Sequence, residues 1–388
     1  MPEAVIVATG RTPIGRAYKG SLIDVRPDDM AGMVIKAVLD KVPELPRATI
    51  DDVMLGCGLT HHEQGYNLGR NAALLAGLPD TVPGTTVNRF CASSLQTIRM
   101  AFHAIKAGEG DVFVAAGVES VTRAMNKGFE PEDFNPRFMD ESRDDFINHV
   151  YIPMGITAEN VAEHFGVGRS RMDEYAKLSQ DRAVAAQADG YFEREIIPVP
   201  LGDGRVVDRD DGPRPGTTLE KLAGLPAAFK PGGVVTAGNA CPLNDGAAAV
   251  IIMSDERAGA LGIPPLARIV ASSVSALAPE IMGVGPIEAV GRVLARAGMK
   301  IGDVDIVELN EAFAAQVLPV VDELGIDVAD QLNPHGGAIA LGHPFGMTGA
   351  RIMTTLLNGL ESADLTIGLE TMCVGGGQGM AMIVERLT

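Results

Sequence analysis

Short apolar runs built from β-branched and small residues constrain this chain most. AVIVATG (4–10), DDVMLGCGL (51–59), DVFVAAGVES (111–120) and AAAVIIMS (247–254) each read as a strand with no polar face. A helical pattern interrupts them: RPDDMAGMVIKAVLDKV (26–42) gathers Met30, Val34, Ile35, Val38 and Leu39 on one side. Strand, helix and strand in succession predict a mainly parallel sheet with helices on its faces. After residue 254 the order recurs. ARIVASSVSA begins with a strand, PIEAVGRVLARAG (286–298) is a helix, DVDIVELNEAFAAQVLPVV passes from strand into helix, and LTIGLETMCVGGGQGMAMIVERL ends as a strand pair. The expectation is an α/β protein of two similar halves.

Between the halves the character changes. From about 121 to 235 the chain turns polar, with RAMNKGFEPEDFNPRFMDESRDDF showing little periodicity and LGDGRVVDRDDGPRPGTT rich in Gly, Pro and Asp. This predicts an excursion from the core, and loops on a rigid scaffold commonly carry binding residues. The expected division is 1–120 with 236–262 as the first half, 121–235 as an inserted loop domain, and 263–388 as the second half.

VPGTTVNRFCASSLQTIRMAFHAI (82–105) joins a β-favouring run, Thr85–Val87, to a helix carrying Leu95, Ile98, Met100, Phe102 and Ile105. Cys91 lies at that junction, at or near a helix N-terminus, where unpaired N–H groups and the dipole favour an anion. By itself such a cysteine reads more readily as a buried structural thiol. Further motifs alter that balance: NEAFAAQ (310–316), NPHGGAIALGHPFGMTGAR (333–351) and CVGGGQGMA (373–381), with RTPIG (11–15), MGITAEN (154–160) and TAGNACPLNDGAAA (236–249) in the same order. Together they resemble the thiolase family, nearly end to end. The wording of VNRFCASSLQ, IPMGITAENVAEHFGV and NPHGGAIALGHP is most similar to 3-ketoacyl-CoA thiolases, with acetyl-CoA acetyltransferases as near relatives.

The resemblance implies a thiolase-like fold of duplicated halves with shared central helices, and a set of roles. Cys91 would accept the acyl group, with His343 as its base. Asn310 would hold a water that, with His343, stabilises an enolate oxygen, and the backbone N–H groups of Cys91 and Gly375 would form a second oxyanion site. Cys373 would exchange a proton with the α-carbon or the leaving group. Arg214 would lie against the coenzyme adenine, Met154, Phe229 and Ala237 along pantetheine, and Met282 and Phe313 around the acyl end. Coenzyme A is then a co-substrate, no cofactor is tightly bound, and a homodimer or homotetramer is expected. This chain departs from the family at Ser94, where glycine is frequent, at Cys241, where serine is, and at Met347. Pro153 stands where some biosynthetic members have histidine, and Cys241 weakens an expected hydroxyl contact to the coenzyme.

Composition narrows the rivals. A net charge of −18 argues against nucleic-acid or acidic-membrane partners, although Arg205, Arg209, Arg214, Lys221 and Lys230 cluster in one segment. Four cysteines without CxxC spacing predict a reducing compartment rather than a disulfide framework. MPEAVIVATG lacks signal-peptide features and ERLT is not a peroxisomal address, so a cytoplasmic protein is expected. Cys57 reads as core. His61, His62 and Glu63 are adjacent on a turn, which does not converge on a metal, and no metal site is expected. GGGQG precedes a strand, not a helix, which weakens a phosphate-loop reading. A decarboxylating ketosynthase would use one cysteine, and a cysteine protease would carry other local signatures. A thiolase-like acyl-CoA or lipid carrier without turnover, or a biosynthetic acetyl-CoA acetyltransferase, remain as alternatives to a degradative thiolase.

Overall fold

A computed structural model describes residues 2–125, 131–140, 142 and 149–388. Residues 126–130, 141 and 143–148 of the expected charged excursion lie outside the described residues. Labels here number nine of the ten strands of the main sheet, the two-residue strand Gly15–Arg16 being left unlabelled, and the helices of eight or more residues. The strands are β1 (Ala4–Arg11), β2 (Asp52–Gly56), β3 (Gly84–Val87), β4 (Val112–Ser120), β5 (Asn244–Ser254), β6 (Ala267–Ala276), β7 (Ile306–Leu309), β8 (Ile367–Val374) and β9 (Gln378–Arg386). The helices are α1 (Pro27–Asp40), α2 (Leu68–Leu75), α3 (Ser93–Ala107), α4 (Met154–Phe165), α5 (Arg169–Ala188), α6 (Gly285–Ala297), α7 (Ala314–Leu324) and α8 (Thr348–Ser362).

The strands run in the order β7-β8-β9-β6-β1-β5-β4-β2-β3, and the halves meet where β1 pairs with β6 through Val5 and Ile6. The mainly parallel sheet expected from sequence is corrected to a mixed one. Parallel pairing is confined to β2 with β3 and β4, and to β7 with β8. The six strands from β8 to β4 pair antiparallel. The reason is connection type. Helical crossovers α2 and α3 return the chain parallel, whereas β5 re-enters after the long excursion and β9 follows β8 through a tight turn. In that turn Gly376 and Gly377 have φ of 76° and 80°, a backbone region closed to most side chains.

Side-chain alternation in the strands sorts the core into layers. Val5, Val7, Val114 and Ile251 face α1 and α2. Ile6, Ala115, Ile252, Met372, Met380 and Met382 face the other way, onto α3 and α8. Leu369, Ala381 and Ile383 face α6 and α7. The central layer is therefore shared: Leu95, Ile98 and Ile105 of α3 and Met353, Leu356 and Leu360 of α8 are packed among strands of both halves. Each such side chain contributes ~1.5–3 kcal/mol by leaving water.

Polar anchors hold the excursion to this core. The RTPIG arginine, Arg11, is fully buried and forks onto Asp210 at 2.7 and 3.0 Å, with Glu195 at 3.3 Å. Asp210 also accepts the Ile14 N–H at 2.7 Å. Truncating one member would leave a buried charge unpaired, which is the costly case.

The two central helices touch at their first turns. Ser94 Oγ accepts the Ala350 N–H at 2.9 Å, and a Cβ on Gly349 would overlap the backbone nitrogen of Leu95. Gly349→Ala is expected to lower stability by ~1–3 kcal/mol, because backbone cannot move aside there. Gly291→Ala, on an open face of α6 where a Cβ meets nothing within 4 Å, should stabilise by ~0.5–1 kcal/mol. Thermal unfolding midpoints of the two variants should move in opposite directions, and a shared direction would contradict this account of the crossing.

Candidate functional site

Cys91 sits one turn before α3, in a 3₁₀ turn Phe90–Ala92. Phe90 has φ 45°, a left-handed conformation unusual for an aromatic residue and costing about 1–3 kcal/mol. Short bonds hold it there: Asn88 Oδ1 accepts the Phe90 N–H at 2.8 Å, and Ser93 Oγ accepts from Arg89 N at 2.9 Å while donating to Phe90 O at 2.7 Å. The kink turns the Phe90 ring outward, next to Gly375, and the Cys91 thiol inward.

The Cys91 sulfur lies under the backbone N–H groups of Gly375 and of Cys91 itself. These are the two donors named from sequence. The thiol is nevertheless pushed up to about 11, because burial outweighs both hydrogen bonds and Glu119 adds like charge. Helix-terminus N–H groups favour an anion, as expected, but here desolvation of the anion by burial exceeds what two N–H dipoles return.

His343 lies just ahead of α8, as Cys91 does of α3, and the turn Phe345–Met347 that follows it packs on the Phe90–Ala92 turn. Its N–H donates to Asn244 Oδ1 at 3.0 Å, and Asn244 Nδ2 donates to Gly15 O at 3.0 Å. Thr348 Oγ1 donates its proton to Pro344 O at 2.7 Å, so the 2.6 Å contact with His343 must be Nδ1–H donating to Thr348. Nε2 is left with its lone pair toward Asn310 Nδ2, 3.4 Å away. Burial, with Arg351 nearby, lowers His343 to about 3. A neutral imidazole with an unprotonated Nε2 can accept a thiol proton, and once protonated it becomes a donor beside the Asn310 amide.

Cys373, on β8, is buried and lies within electrostatic reach of Cys91 and Cys241; burial holds its thiol well above the usual range. Cys241 thus adds a third thiol within electrostatic reach of the two named from the family pattern. Cys241 itself is held by its N–H to Ala312 O at 3.0 Å, and burial raises its thiol as well.

The remaining residues named from sequence fall into two groups. Met154 and Phe229 close on Gly375 and Gly155, and Phe229 meets Phe313 edge-on at 5.8 Å between ring centres. Met282 lies behind them, its sulfur 3.7 Å from Gln316 Nε2. Arg214 and Ala237 line a separate groove with Lys221 and Gly216. The expected basic cluster does not assemble: Arg205 pairs with Asp203 at 2.7 Å, Arg209 with Asp208 at 3.8 Å and Lys230 with Glu163 at 3.4 Å, leaving Arg214 and Lys221 together.

Sequence reasoning missed two buried carboxylates that fasten these loops. Glu119 receives N–H groups of Gly58 (2.8 Å), Leu59 (3.2 Å) and Gly346 (2.9 Å) and the Gln64 amide (2.6 Å). Glu311 receives Tyr175 (2.7 Å), Ser179 (2.6 Å), Asn333 (2.9 Å) and the Ile339 N–H (3.0 Å), bracketing Asn310. A charged residue ending an apolar run, as in VFVAAGVES, was the available signal. Two departures also find a place: Ser94 reaches the α8 backbone, with Gly117 leaving it room, and Met347 rests on Gly246.

Family comparison matches "Thiolase, N-terminal domain" to residues 4–256 and "Thiolase, C-terminal domain" to residues 263–386. The chain belongs to the thiolase family. It is 47% identical over 402 aligned positions to the 3-oxoadipyl-CoA/3-oxo-5,6-dehydrosuberyl-CoA thiolase of Escherichia coli, with 100% of both chains covered. It is 45% identical over 395 residues to the 3-ketoacyl-CoA thiolase of Aeromonas hydrophila, again with 100% of both covered. The dimeric peroxisomal thiolase of Saccharomyces cerevisiae superposes with TM-score 0.93 at 38% identity, covering 100% of this chain and 98% of that one. The thiolase fold expected from the motifs is thus borne out, as a mixed sheet. No helix among the described residues is long and apolar enough to cross a membrane.

The electrostatics of this thiolase site give a direct check. With His343 neutral above about 3 and Cys91 protonated below about 11, the iodoacetamide rate at Cys91 should climb steadily with pH. No step should occur at the ordinary histidine value between about pH 6 and about pH 9, because only the thiolate reacts. A plateau already reached below neutrality would reveal a resident thiolate–imidazolium pair instead.

Proposed function

We propose that this enzyme is an acyltransferase that cleaves 3-ketoacyl-CoA with CoA, reversibly, through an acyl-Cys91 intermediate. The observation that carries the reading is the Cys91 sulfur beneath two backbone N–H donors, in a buried site that also holds a neutral imidazole whose unprotonated Nε2 faces the Asn310 amide. His343 Nε2 takes the Cys91 proton as the sulfur attacks the 3-keto carbon. The C2–C3 bond breaks, and its electrons pass into the enolate of acetyl-CoA, whose oxygen faces Asn310 and the newly protonated His343. Cys373 gives its proton to C2, and acetyl-CoA leaves. An incoming CoA thiol returns a proton to Cys373 and attacks acyl-Cys91, whose oxygen sits under the N–H groups of Cys91 and Gly375. The C–S bond to Cys91 breaks, the departing thiolate takes back the proton held by His343, and release of the shortened acyl-CoA leaves both thiols restored. Each fixed oxyanion donor is typically worth ~2.7–4 kcal/mol of barrier.

In this reading residues 121–235 form the coenzyme-binding insert. Arg214 lies against adenine, Met154, Phe229, Ala237 and Cys241 border pantetheine, and Met282 and Phe313 close the acyl end. CoA is a co-substrate, no tightly bound cofactor takes part, and the working unit is at least a homodimer in the cytoplasm. Two acyl classes are supported by similarity. A fatty 3-ketoacyl chain, as in β-oxidation, follows the 3-ketoacyl-CoA thiolase relatives, and a dicarboxylic chain follows the 3-oxoadipyl-CoA thiolase at 47% identity. Steady-state thiolysis of both substrate series separates them by kcat/KM.

The cysteines are separable by intact-protein mass spectrometry. After brief exposure to acetyl-CoA, Cys91→Ala should carry no acetyl group, whereas Cys373→Ala should still label at Cys91 while turnover falls by ~10²–10⁴-fold, the usual share of a proton-transfer group. An adduct that maps to Cys373 would reverse the assignment, and an unlabelled wild type would support the carrier reading. Arg214→Ala should raise the KM for CoA far more than it lowers kcat, because adenine contacts are alike in ground and transition states. A pure kcat defect would remove Arg214 from the coenzyme site.

A further inference from the structure

Cys373 has a partner outside the roles described above. Its Sγ–H points at Gln316 Oε1, 3.4 Å away, from the first turn of α7. The other end of the same amide, Nε2, meets Met282 Sδ at 3.7 Å. Gln316 is 3% exposed, so both polar ends of a buried amide are spent on sulfur atoms. Room for this arrangement comes from Gly283: a Cβ there would overlap the Gln316 side chain from Cγ to Nε2.

We propose that Gln316 is a positioning residue that aims the Cys373 thiol for proton exchange with the substrate α-carbon, and that Gly283 is the vacancy that lets it do so. The inference rests on the role given to Cys373 above. An otherwise unheld thiol would rotate about χ1 among three wells. One S–H···O contact selects a single well and keeps the proton on sulfur, ready to be given to C2. The amide cannot exchange its ends without cost, since that would set N–H donors against the S–H and turn the oxygen onto the Met282 sulfur. When Cys373 has given up its proton, the amide oxygen faces a thiolate and favours the proton's return from the incoming CoA thiol. Because Met282 is the side chain placed at the acyl end, the same amide also ties the aim of Cys373 to the wall of the acyl pocket.

The test separates proton exchange from acyl transfer in the intact enzyme. Acetyl-CoA deuterated at its methyl group is incubated in ordinary water, and loss of deuterium is followed by mass spectrometry alongside acetyl labelling of Cys91. Gln316→Met, close in shape but without the acceptor, should slow exchange by ~10–100-fold, as expected for a misplaced acid–base group, while Cys91 labelling stays within ~2–3-fold and the KM for acetyl-CoA is unchanged. Gly283→Ala, acting from another element, should slow exchange in the same selective way. Gln316→Glu, which keeps an acceptor oxygen at the same reach, should restore most of the exchange. Loss of labelling and exchange in equal measure would mark Gln316 as merely structural and overturn the proposal. So would wild-type exchange in Gln316→Met when Cys373→Ala has none. Exchange that persists in Cys373→Ala would instead overturn the reading of Cys373 itself, and this proposal with it.

Discussion

The contact between the first turns of α3 and α8 is the constraint on which the rest depends. Cys91 lies just ahead of one helix and His343 just ahead of the other, so the register of that crossing sets the register of the proposed nucleophile and base. Ser94 bonded to the Ala350 N–H and Gly349 seated on Leu95 leave little freedom to slide. Close packing of the shared layer then transmits the geometry of both sheets to one point. Each half of the fold contributes one turn–helix unit, and the proposed chemistry draws on both.

Depth has an electrostatic consequence. The same burial that positions the two groups strips them of solvent, so the imidazole and thiol rest neutral instead of as an ion pair. Charge is then created only during reaction, against N–H donors already in place, which is where preorganised dipoles act most strongly. Buried carboxylates fasten other segments around the site. Glu119 ties the Cys57–Leu59 segment, Gln64 and Gly346 together, Glu311 does the same for Tyr175, Ser179, Asn333 and Ile339, and for Glu119 burial still raises its proton affinity despite its hydrogen bonds. Two fully satisfied buried carboxylates are thus a structural counterpart of the reactive pair.

Much was legible in one dimension. Apolar runs located the strands and the turn ahead of α3, and four separated motifs identified the family and the residues proposed for catalysis. Direction of pairing was not legible, since a run buried on both faces has no feature that distinguishes parallel from antiparallel neighbours. The CVGGG run is an instructive mixture: Gly376 and Gly377 are required by the hairpin between β8 and β9, while Gly375 supplies the donor to Cys91. The basic segment was misread for a related reason. Arg205 and Arg209 are near Arg214 in sequence, but local Asp partners and loop direction take them elsewhere.

Residue chemistry and order along the chain therefore determined by themselves what this protein is made to do: a cysteine after a β-run, a histidine in GGAIALGHP, a second cysteine beside glycines, and a duplicated α/β pattern around them. Tertiary structure decided how those groups behave. It set the tautomer of His343 through Thr348, kept Cys91 protonated by desolvation, brought Cys241 in as a third thiol, and gave Cys373 an amide partner in Gln316. The reason is physical. Identity and spacing fix which bonds a residue can make, whereas protonation and aim depend on which distant atoms surround it and how much water they exclude.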